Sequence, residues 1–140
     1  MGQMRRPRRN VSGGVGADKL KVIVIVDDDD GVRDSTRVLL EACGYATEGF
    51  ASADDFLAKT AGTRGDCLLL DVQMPGMSGI ELLEHMRAQG DPTPVVLMTA
   101  NIERLGNRPA QAGAVTVLRK PFAEDALLSW IARACGQQSA

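Results

Sequence analysis

The sequence has only three cysteines, a single histidine and no long apolar run, and these shortages exclude several classes of protein. Cys43, Cys67 and Cys135 are odd in number and lack the paired spacing of a zinc site, which predicts reduced thiols packed in a core. No apolar run approaches the roughly 20 residues of a transmembrane helix, and the amino terminus lacks the apolar segment of a secretory signal. We therefore predict a cytoplasmic protein without a membrane partner.

Acidic residues outnumber basic ones outside the first 18 residues. Four arginines between residues 5 and 9, set against Asp18, give residues 1–18 a net charge of +3, which leaves −5 on the rest of a chain with overall charge −2. Phosphate backbones require clustered Lys and Arg on the folded surface, so the acidic body argues against direct nucleic-acid binding. Residues 1–18 have little to bury and are predicted to be a disordered basic arm, with weak anion contact as the alternative.

The remaining sequence is that of one α/β domain. The chain has 140 residues, 44% of them hydrophobic, which suits a single core; we place the domain at 19–136 and a disordered tail at 137–140. Apolar runs alternate with stretches of helical period, as in a mostly parallel sheet. The predicted strands are Lys21–Asp27, Ala46–Gly49, Cys67–Asp71, Pro94–Thr99 and Val115–Leu118. Ala46–Gly49 is the most polar and is predicted at a sheet edge.

Helix signals fill the intervals between strands. Asp30–Cys43 is predicted as a helix capped by Asp30, with an apolar stripe made of Val32, Thr36, Leu39, Leu40 and Cys43. Ser52 and Ser78 each precede an acid by three residues, so helices should begin near 53 and 79. The last helix is Ala123–Ala134. Gly106 and Pro109 interrupt the fourth helix, which should be short, kinked or mobile.

Four of the apolar runs end on polar side chains. Asp27 and Asp28 follow the first run, Asp71 ends the third, Thr99 ends the fourth and Lys120 follows the fifth. The carboxyl ends of parallel strands meet at one edge of the sheet, where ligands of open α/β folds bind. We therefore expect these groups to converge at that edge.

The chemistry of these groups favours phosphoryl transfer with a metal ion. Three adjacent carboxylates repel one another and require shared protons or a cation, and Mg²⁺ prefers such oxygen ligands. The hydroxyl of Thr99 and the ammonium group of Lys120 supply what a phosphoryl group needs for neutralisation and orientation. Asp71 would then be the nucleophile that forms an acyl phosphate.

The motifs Val26-Asp27-Asp28, Leu70-Asp71 with its Val-Gln-Met-Pro-Gly-Met-Ser-Gly continuation, Met98-Thr99-Ala100 and Lys120-Pro121-Phe122 resemble the receiver domain of two-component response regulators, over about residues 20–135. The resemblance implies a flavodoxin-like three-layer fold with strand order 2-1-3-4-5. It also implies a signalling domain that accepts a phosphoryl group and is not a metabolic enzyme.

The resemblance assigns a role to each site residue. Asp71 would be phosphorylated by the phosphohistidine of a sensor histidine kinase or phosphotransfer protein. Asp27, Asp28 and Asp71, with the backbone carbonyl of Gln73, would bind Mg²⁺. Thr99 and Lys120 would hold the phosphoryl oxygens. The Lys120–Pro121 bond corresponds to one that the family usually keeps cis.

The resemblance also implies partners. An unknown output protein would read the phosphorylated state, by contact with a stand-alone receiver that is a monomer or a phosphorylation-dependent dimer. Gln73 and Asn101 correspond to positions that tune the lifetime of the acyl phosphate. Asp29 is interpreted as solvated, and His85 as a partly exposed helical residue.

Two features depart from the family. Val117 occupies a position where the family commonly has an aromatic switch residue, and the fourth helix is broken. We therefore hypothesise that phosphorylation reorganises residues 100–113.

Two alternative functions stay open. One is a receiver-like binding module with altered or no phospho-switching. The other is a phosphatase of the haloacid dehalogenase type, in which Asp28 within Asp28-Asp29-Asp30-Gly31 is the nucleophile.

Overall fold

A computed structural model describes residues 20–59 and 65–139, and in it five short strands form one parallel sheet. The three central strands are apolar runs buried on both faces, whereas the edge strand β2 is more polar and only partly buried. The strands are β1 Val22–Val26, β2 Ala46–Phe50, β3 Cys67–Asp71, β4 Val95–Thr99 and β5 Thr116–Arg119. The bounds of Cys67–Asp71 are as predicted, and each of the other four strands differs from the prediction by one residue at one or both ends.

The order of the strands in the sheet is β2-β1-β3-β4-β5, and every neighbouring pair is parallel. The predicted fold is therefore confirmed, including the edge position of β2. Asp71 lies beside Met98 in the register of β3 and β4, and Thr99 lies beside Arg119 in that of β4 and β5. This register brings the polar strand ends to one edge of the sheet.

Within the described residues, five α-helices and one 3-10 helix lie between the strands or, for the last of them, after β5. They are α1 Asp30–Ala42, α2 Ala53–Lys59, α3 Gly79–Ala88, a 3-10 helix Ile102–Leu105, α4 Arg108–Ala112 and α5 Glu124–Ser139. The predicted starts of α2 and α3 are confirmed. Ser78 and Glu81 form the expected reciprocal capping pair, and Ser52 accepts a hydrogen bond from the amide of Asp55.

The predicted cap of α1 was wrong by one residue. Asp29 is the N-cap, since its side chain accepts a hydrogen bond from the amide of Val32 at 3.0 Å, and Asp30 is the first residue of the helix. Both residues serve equally well as caps by residue type, and Asp29 takes the role because its backbone has the extended conformation of an N-cap, with φ −88° and ψ 110°. Asp30 instead pairs with Arg33, one turn further along α1.

The two faces of the sheet bury separate cores. Val24, Val26, Leu68, Leu70 and Leu97 point to the face that α2 and α3 cover. The alternate residues of the same strands point to the opposite face, where Leu40 of α1 and Leu127 and Ile131 of α5 pack against them. This three-layer packing holds the ends of β1, β3 and β4 in place, because these strands are buried from both sides.

The cysteine prediction holds for two of the three residues. Cys67 and Cys135 are buried in the α1/α5 core, whereas Cys43 is exposed. Cys43 caps the end of α1, where the chain turns through Gly44 towards β2, so that the apolar stripe of this helix stops at Leu40. Placing Cys43 in the stripe was therefore wrong.

The fourth connection is irregular, as predicted. It consists of the four-residue 3-10 helix and the five-residue α4, separated by Gly106 and Asn107. Pro109 lies in the first turn of α4, where its missing N–H is no loss.

The carboxyl-terminal helix is longer than the sequence predicted. The predicted basic arm, residues 1–18, lies outside the described residues. Helix α5 continues to Ser139, beyond the predicted end at Ala134, so the backbone of residues 137–139 is helical and not an unstructured tail. Within the described residues, no helix has the length and apolar character needed to cross a membrane.

Candidate functional site

The polar residues that end the strands lie together at the carboxyl edge of the sheet. Asp27 directly follows β1, Asp71 and Thr99 end β3 and β4, and Lys120 directly follows β5. All but Lys120 are almost completely buried, with exposed fractions of 0% for Asp27, 5% for Asp71 and 1% for Thr99. Buried polar groups of this kind need partners, because desolvation without one costs several kcal/mol, on the order of 2–7 for a neutral group.

Lys120 is the partner that joins two of the acids. Its Nζ lies 3.0 Å from Oδ2 of Asp27 and 3.4 Å from Oδ2 of Asp71. The side chain of Lys120 is itself only 20% exposed. Its ammonium group therefore links the ends of β1, β3 and β5, as the sequence predicted it could.

Backbone amides orient both buried carboxylates. Asp27 accepts a hydrogen bond on Oδ1 from the amide of Asp29 at 2.9 Å, and Asp71 accepts one on Oδ1 from the amide of Gln73 at 3.2 Å. In each case the chain turns back just after the strand, so that the amide two residues later reaches the side chain. Each carboxylate thus has one oxygen bound to its own turn and the other directed to Lys120.

The loop after Asp71 packs closely against the residue itself. A Cβ atom built at Gly79, the first residue of α3, would lie 2.3 Å from the carbonyl oxygen of Asp71. It would also lie 3.1 Å from the Cα of Val72. Only glycine allows this approach, and the amide of Gly79 uses it to donate to the carbonyl of Val72 at 3.0 Å.

Thr99 is positioned beside Lys120 by the backbone. The amide of Lys120 donates to the carbonyl of Thr99 at 2.8 Å, and the amide of Asn101 donates to the hydroxyl oxygen of Thr99 at 3.1 Å. Among the described residues, no direct hydrogen bond joins the Thr99 hydroxyl to Asp71 or Lys120. The Thr99 hydroxyl thus accepts one hydrogen bond and is still able to donate.

Asp27, Asp28 and Asp71 together form an acid cluster. Each offers one carboxylate oxygen, and these three oxygens lie within 4.8 Å of one another. Asp27 and Asp71 are buried, whereas Asp28 is exposed. An oxygen-only donor set that is open to solvent on one side suits Mg²⁺, which keeps several water ligands. The cluster therefore fits a hard divalent cation.

The electrostatics of the cluster reflect an excess of acid. Burial and the neighbouring Asp27 carboxylate raise the pKa of Asp71 from 3.8 to about 6, against the opposite effects of Lys120 and the Gln73 amide. Burial lowers the pKa of Lys120, but its contacts with Asp27 and Asp71 outweigh burial and leave that pKa above its ordinary value. One ammonium group therefore does not compensate three carboxylates, and a divalent cation would.

Arg33 of α1 was missed by the sequence reasoning. Its Nη1 donates to the backbone carbonyl of Asp27 at 2.6 Å, and its Nη2 donates to the carboxylate of Asp30. The signal available in the sequence was the basic residue three positions after Asp30, which places both on the same side of a helix. The contact with the carbonyl of Asp27 depends on the turn and could not be read from spacing.

Other residues singled out in the sequence lie around the site or away from it. Asp29 is exposed and caps α1, and His85 is exposed on α3. Val117 of β5 is half-buried and packs against the core under α3. The Lys120–Pro121 bond is cis, as the family resemblance implied.

Residues 23–132 match the family model described as the response regulator receiver domain. The chain is 40% identical over 116 residues to the transcriptional regulatory protein FixJ of Bradyrhizobium diazoefficiens, which covers 82% of this chain and 57% of FixJ. It is 39% identical over 109 residues to the response regulator MprA of Mycobacterium avium, which covers 76% of this chain and 47% of MprA. The chain thus spans about half the length of the curated relatives it matches.

Among solved structures, the CheY-like response regulator receiver domain protein from Methanospirillum hungatei is similar, with a TM-score of 0.79 and 33% identity. The match covers 86% of this chain and 98% of that protein. The similarity therefore extends over nearly the whole of a receiver domain that was solved by itself.

Proposed function

The chain belongs to the response regulator receiver domain family, and we propose that it accepts a phosphoryl group on Asp71. The observation that carries this proposal is the placement of Asp71 in the acid cluster, with one carboxylate oxygen 3.4 Å from Nζ of Lys120. A nucleophile held this way lies next to the charge that would neutralise the incoming phosphoryl oxygens. Phosphorylated aspartate is typical of the family.

The metal site is part of the same proposal. Receiver domains generally bind Mg²⁺ at an acidic pocket, and here the carboxylates of Asp27, Asp28 and Asp71 form one. The backbone carbonyl of Gln73 is proposed as the remaining protein ligand. When bound, Mg²⁺ would neutralise the acids and bind phosphoryl oxygens. The residues themselves provide the rest of the chemistry.

In the proposed reaction, a carboxylate oxygen of Asp71 attacks the phosphorus of a phosphohistidine. The new P–O bond forms as the P–N bond breaks, and the histidine leaves with the electron pair of that bond. Lys120 donates to an oxygen of the transferred group, exchanging part of its contact with Asp71 for it. The hydroxyl of Thr99 turns to donate to another.

Switching follows from these last two contacts. A backbone hydrogen bond joins the amide of Lys120 to the carbonyl of Thr99, and residues 100–113 begin directly after Thr99. We propose that their engagement by the phosphoryl group alters this segment and the surface it forms. Gln73 and Asn101 would tune how long the acyl phosphate lasts.

The partners are proposed from the family. A sensor histidine kinase or phosphotransfer protein would donate the phosphoryl group in the cytoplasm, and an output surface on another protein or another copy of the chain would read the phosphorylated state. The chain would act as a monomer or a phosphorylation-dependent dimer, without direct contact to nucleic acid by this domain.

The test is incubation with acetyl phosphate and Mg²⁺, followed by intact-protein mass spectrometry. The wild-type chain should gain one phosphoryl group, and Asp71→Asn should gain none. His85→Gln serves as the matched control and should behave as wild type, because His85 lies exposed on α3 outside the acid cluster. Borohydride reduction followed by peptide mapping should locate the modification at Asp71.

Other results would select the alternatives. Modification mapped to Asp28, together with steady hydrolysis of phosphate esters, would indicate the phosphatase. No adduct from acetyl phosphate or from a phosphorylated histidine kinase would indicate a binding module that does not switch by phosphorylation. Either result overturns the proposal for Asp71.

A further inference from the structure

We propose that Arg33 is a positioning residue, which holds the turn from Asp27 to Asp30 in the geometry that the divalent cation requires. This inference rests on the proposed function, since it concerns the same metal site. It goes further because it assigns a role to a residue of α1 that is neither a ligand nor a contact of the phosphoryl group.

The first support is the contact with Asp27. Nη1 of Arg33 donates to the backbone carbonyl of Asp27 at 2.6 Å, while the side chain of Asp27 is completely buried and faces Lys120. The amide of Asp27 donates to the carbonyl of Phe50 at 3.1 Å. The peptide groups on both sides of the Asp27 side chain are therefore fixed, one by β2 and the other by Arg33.

The second support is the way Arg33 itself is held. Its Cδ and Cγ lie 3.1 and 3.3 Å from the place where a Cβ of Gly49 would stand, so the stem lies directly on the backbone of β2. The side chain is only 15% exposed, and Nη2 is bound to the carboxylate of Asp30. Because the side chain is held at both its stem and its guanidinium group, it loses little conformational entropy when it orients the turn.

The charge of Arg33 and its positioning role predict opposite effects of its removal on the affinity for a metal ion. Arg33 is a cation beside the acids at positions 27 to 30, so by charge alone its removal should strengthen the binding of Mg²⁺. If Arg33 positions the turn, its removal should weaken binding, as happens when a group that orients a metal ligand is lost. The sign of the change therefore separates the two roles.

The chain provides a matched control in Arg37. It lies one turn further along α1, and its Cδ also approaches Gly49, at 3.3 Å from the same point. Its Nε donates to the hydroxyl of Thr47 on β2 at 3.1 Å, away from the acid cluster. Arg37 thus shares the packing and the charge of Arg33 without the contact to Asp27.

The experiment is titration calorimetry of Mg²⁺ with the wild-type chain, Arg33→Met, Arg33→Lys and Arg37→Met. Methionine keeps an apolar stem on Gly49 and removes every donor. Arg33→Met should weaken Mg²⁺ binding about tenfold, within the usual effect of losing a ligand-orienting partner. Arg33→Lys should lose less, because one ammonium group can reach the carbonyl or Asp30 but not both. Arg37→Met should bind as wild type does.

A second measurement is independent of the metal. The amide of Asp29 donates to Oδ1 of Asp27, so its hydrogen exchange reports the order of the turn. Without Mg²⁺, exchange at Asp29 should be faster in Arg33→Met than in Arg37→Met, with both variants melting cooperatively. If Arg33→Met does not fold, Arg33→Lys keeps the charge and still tests the position.

Each outcome decides the inference. Unchanged or tighter Mg²⁺ binding by Arg33→Met, or an equal loss in Arg37→Met, overturns the role of Arg33 and leaves the proposed function intact. Asp28→Asn, which lacks one of the proposed metal ligands, is titrated as the reference for a damaged site. If the wild-type chain binds Mg²⁺ no better than Asp28→Asn, the metal site itself is overturned.

Discussion

The carboxyl edge of the sheet and the segment 100–113 are adjacent in the chain but are held by different forces. At the edge, Asp27, Asp71 and Thr99 are buried and bonded to backbone amides. In the segment, most residues are exposed or half-exposed, and the helical turns have four and five residues. The site of the chemistry is thus built into the core, whereas the connection that follows it lies on the surface.

Hydrogen bonds and ion pairs of three arginines, one of them in the segment itself, attach the segment to the rest of the fold. Arg108 forms a two-pronged pair with Glu84 of α3, at 2.9 and 3.0 Å, and Arg119 of β5 pairs with Glu103. Both pairs are solvent-exposed, so water and salt weaken them. Arg87 of α3 also donates to the carbonyl of Gly113, at 3.2 Å.

The difference between these regions shows where a switch can operate. Segments with few buried contacts open at a lower free energy than the core does. When Thr99 or Lys120 changes its hydrogen bonds, residues 100–113 can therefore move more easily than β1 and β3, which are packed in the core. This favours a signal that travels through the surface segment, with the acid cluster itself unchanged in position.

Gly79→Ala should have the largest effect on the free energy of unfolding, because the new side chain would enter the tightly packed edge of the sheet. The new Cβ would lie 2.3 Å from the Asp71 carbonyl oxygen, so α3 or Asp71 must move. We expect the free energy of unfolding to fall by about 2–3 kcal/mol, as for other overpacked sites. Phosphorylation by acetyl phosphate should fall with it.

Gly136→Ala is the control for this substitution. Gly136 lies in α5, and a Cβ there would have nothing within 4 Å. Alanine should therefore stabilise the protein, by up to about 1 kcal/mol. Denaturant unfolding of both variants measures the contrast, and an equal response would show that the edge is not more tightly packed than the surface.

Asp71→Asn should have an intermediate effect on the free energy of unfolding, and it should stabilise the protein where Gly79→Ala destabilises it. Folding raises the pKa of Asp71 from 3.8 to about 6, mainly through burial, so the folded state binds this proton more tightly than the unfolded state does. The stability of the wild-type chain should then decrease as pH rises from 3.8 through 6. Without metal, Asp71→Asn should gain roughly 1–3 kcal/mol above this range and little below it.

Thermal unfolding in the presence of a chelator, across this pH range, checks the prediction. Asp34→Asn removes a carboxylate at an exposed position of α1 and should not show the same pH-dependent gain. Added Mg²⁺ should stabilise the wild type and reverse the order of the wild type and Asp71→Asn. A gain that is independent of pH would argue against charge repulsion as its cause.

Glu84→Gln should have the smallest effect on global stability, because its partner Arg108 is exposed and the pair is screened by solvent. Its effect should be local. Hydrogen exchange at residues 100–113 should become faster, while exchange in β1 and β3 stays slow. Glu124→Gln, an equal change of charge at the start of α5, should leave the segment as it is.

The same measurement tests the switching hypothesis. Phosphorylation of the wild type should change hydrogen exchange in residues 100–113 more than in any strand. Identical exchange in the free and phosphorylated protein would remove this segment from the signalling path.

Sequence patterns predicted most of the fold because they are local and redundant. Four of the five strands are separate apolar runs, and the Ser78–Glu81 cap and the breaks at Gly106 and Pro109 depend on neighbours in the chain. The errors fell where one residue decides the geometry. Among four consecutive aspartates, the cap moved from Asp30 to Asp29, and Cys43 turned out of the core at the helix end.

The candidate site divides in the same way. The residue types at the strand ends indicated an acid cluster with a hydroxyl and an ammonium group, since parallel topology sends those ends to one edge. The distances between Lys120 and the two acids, and the role of Arg33, depend on residues far apart in the chain. No periodicity contains that information.

The amino-acid sequence alone was sufficient for the order of elements, the parallel sheet and the identity of the converging groups, because burial period, caps and turn residues act over a few residues. Tertiary structure decided which acids are buried, how far the pKa of Asp71 rises and which arginine supports the turn. Desolvation and long-range contacts exist only after the chain has packed, since both depend on what surrounds a side chain in space.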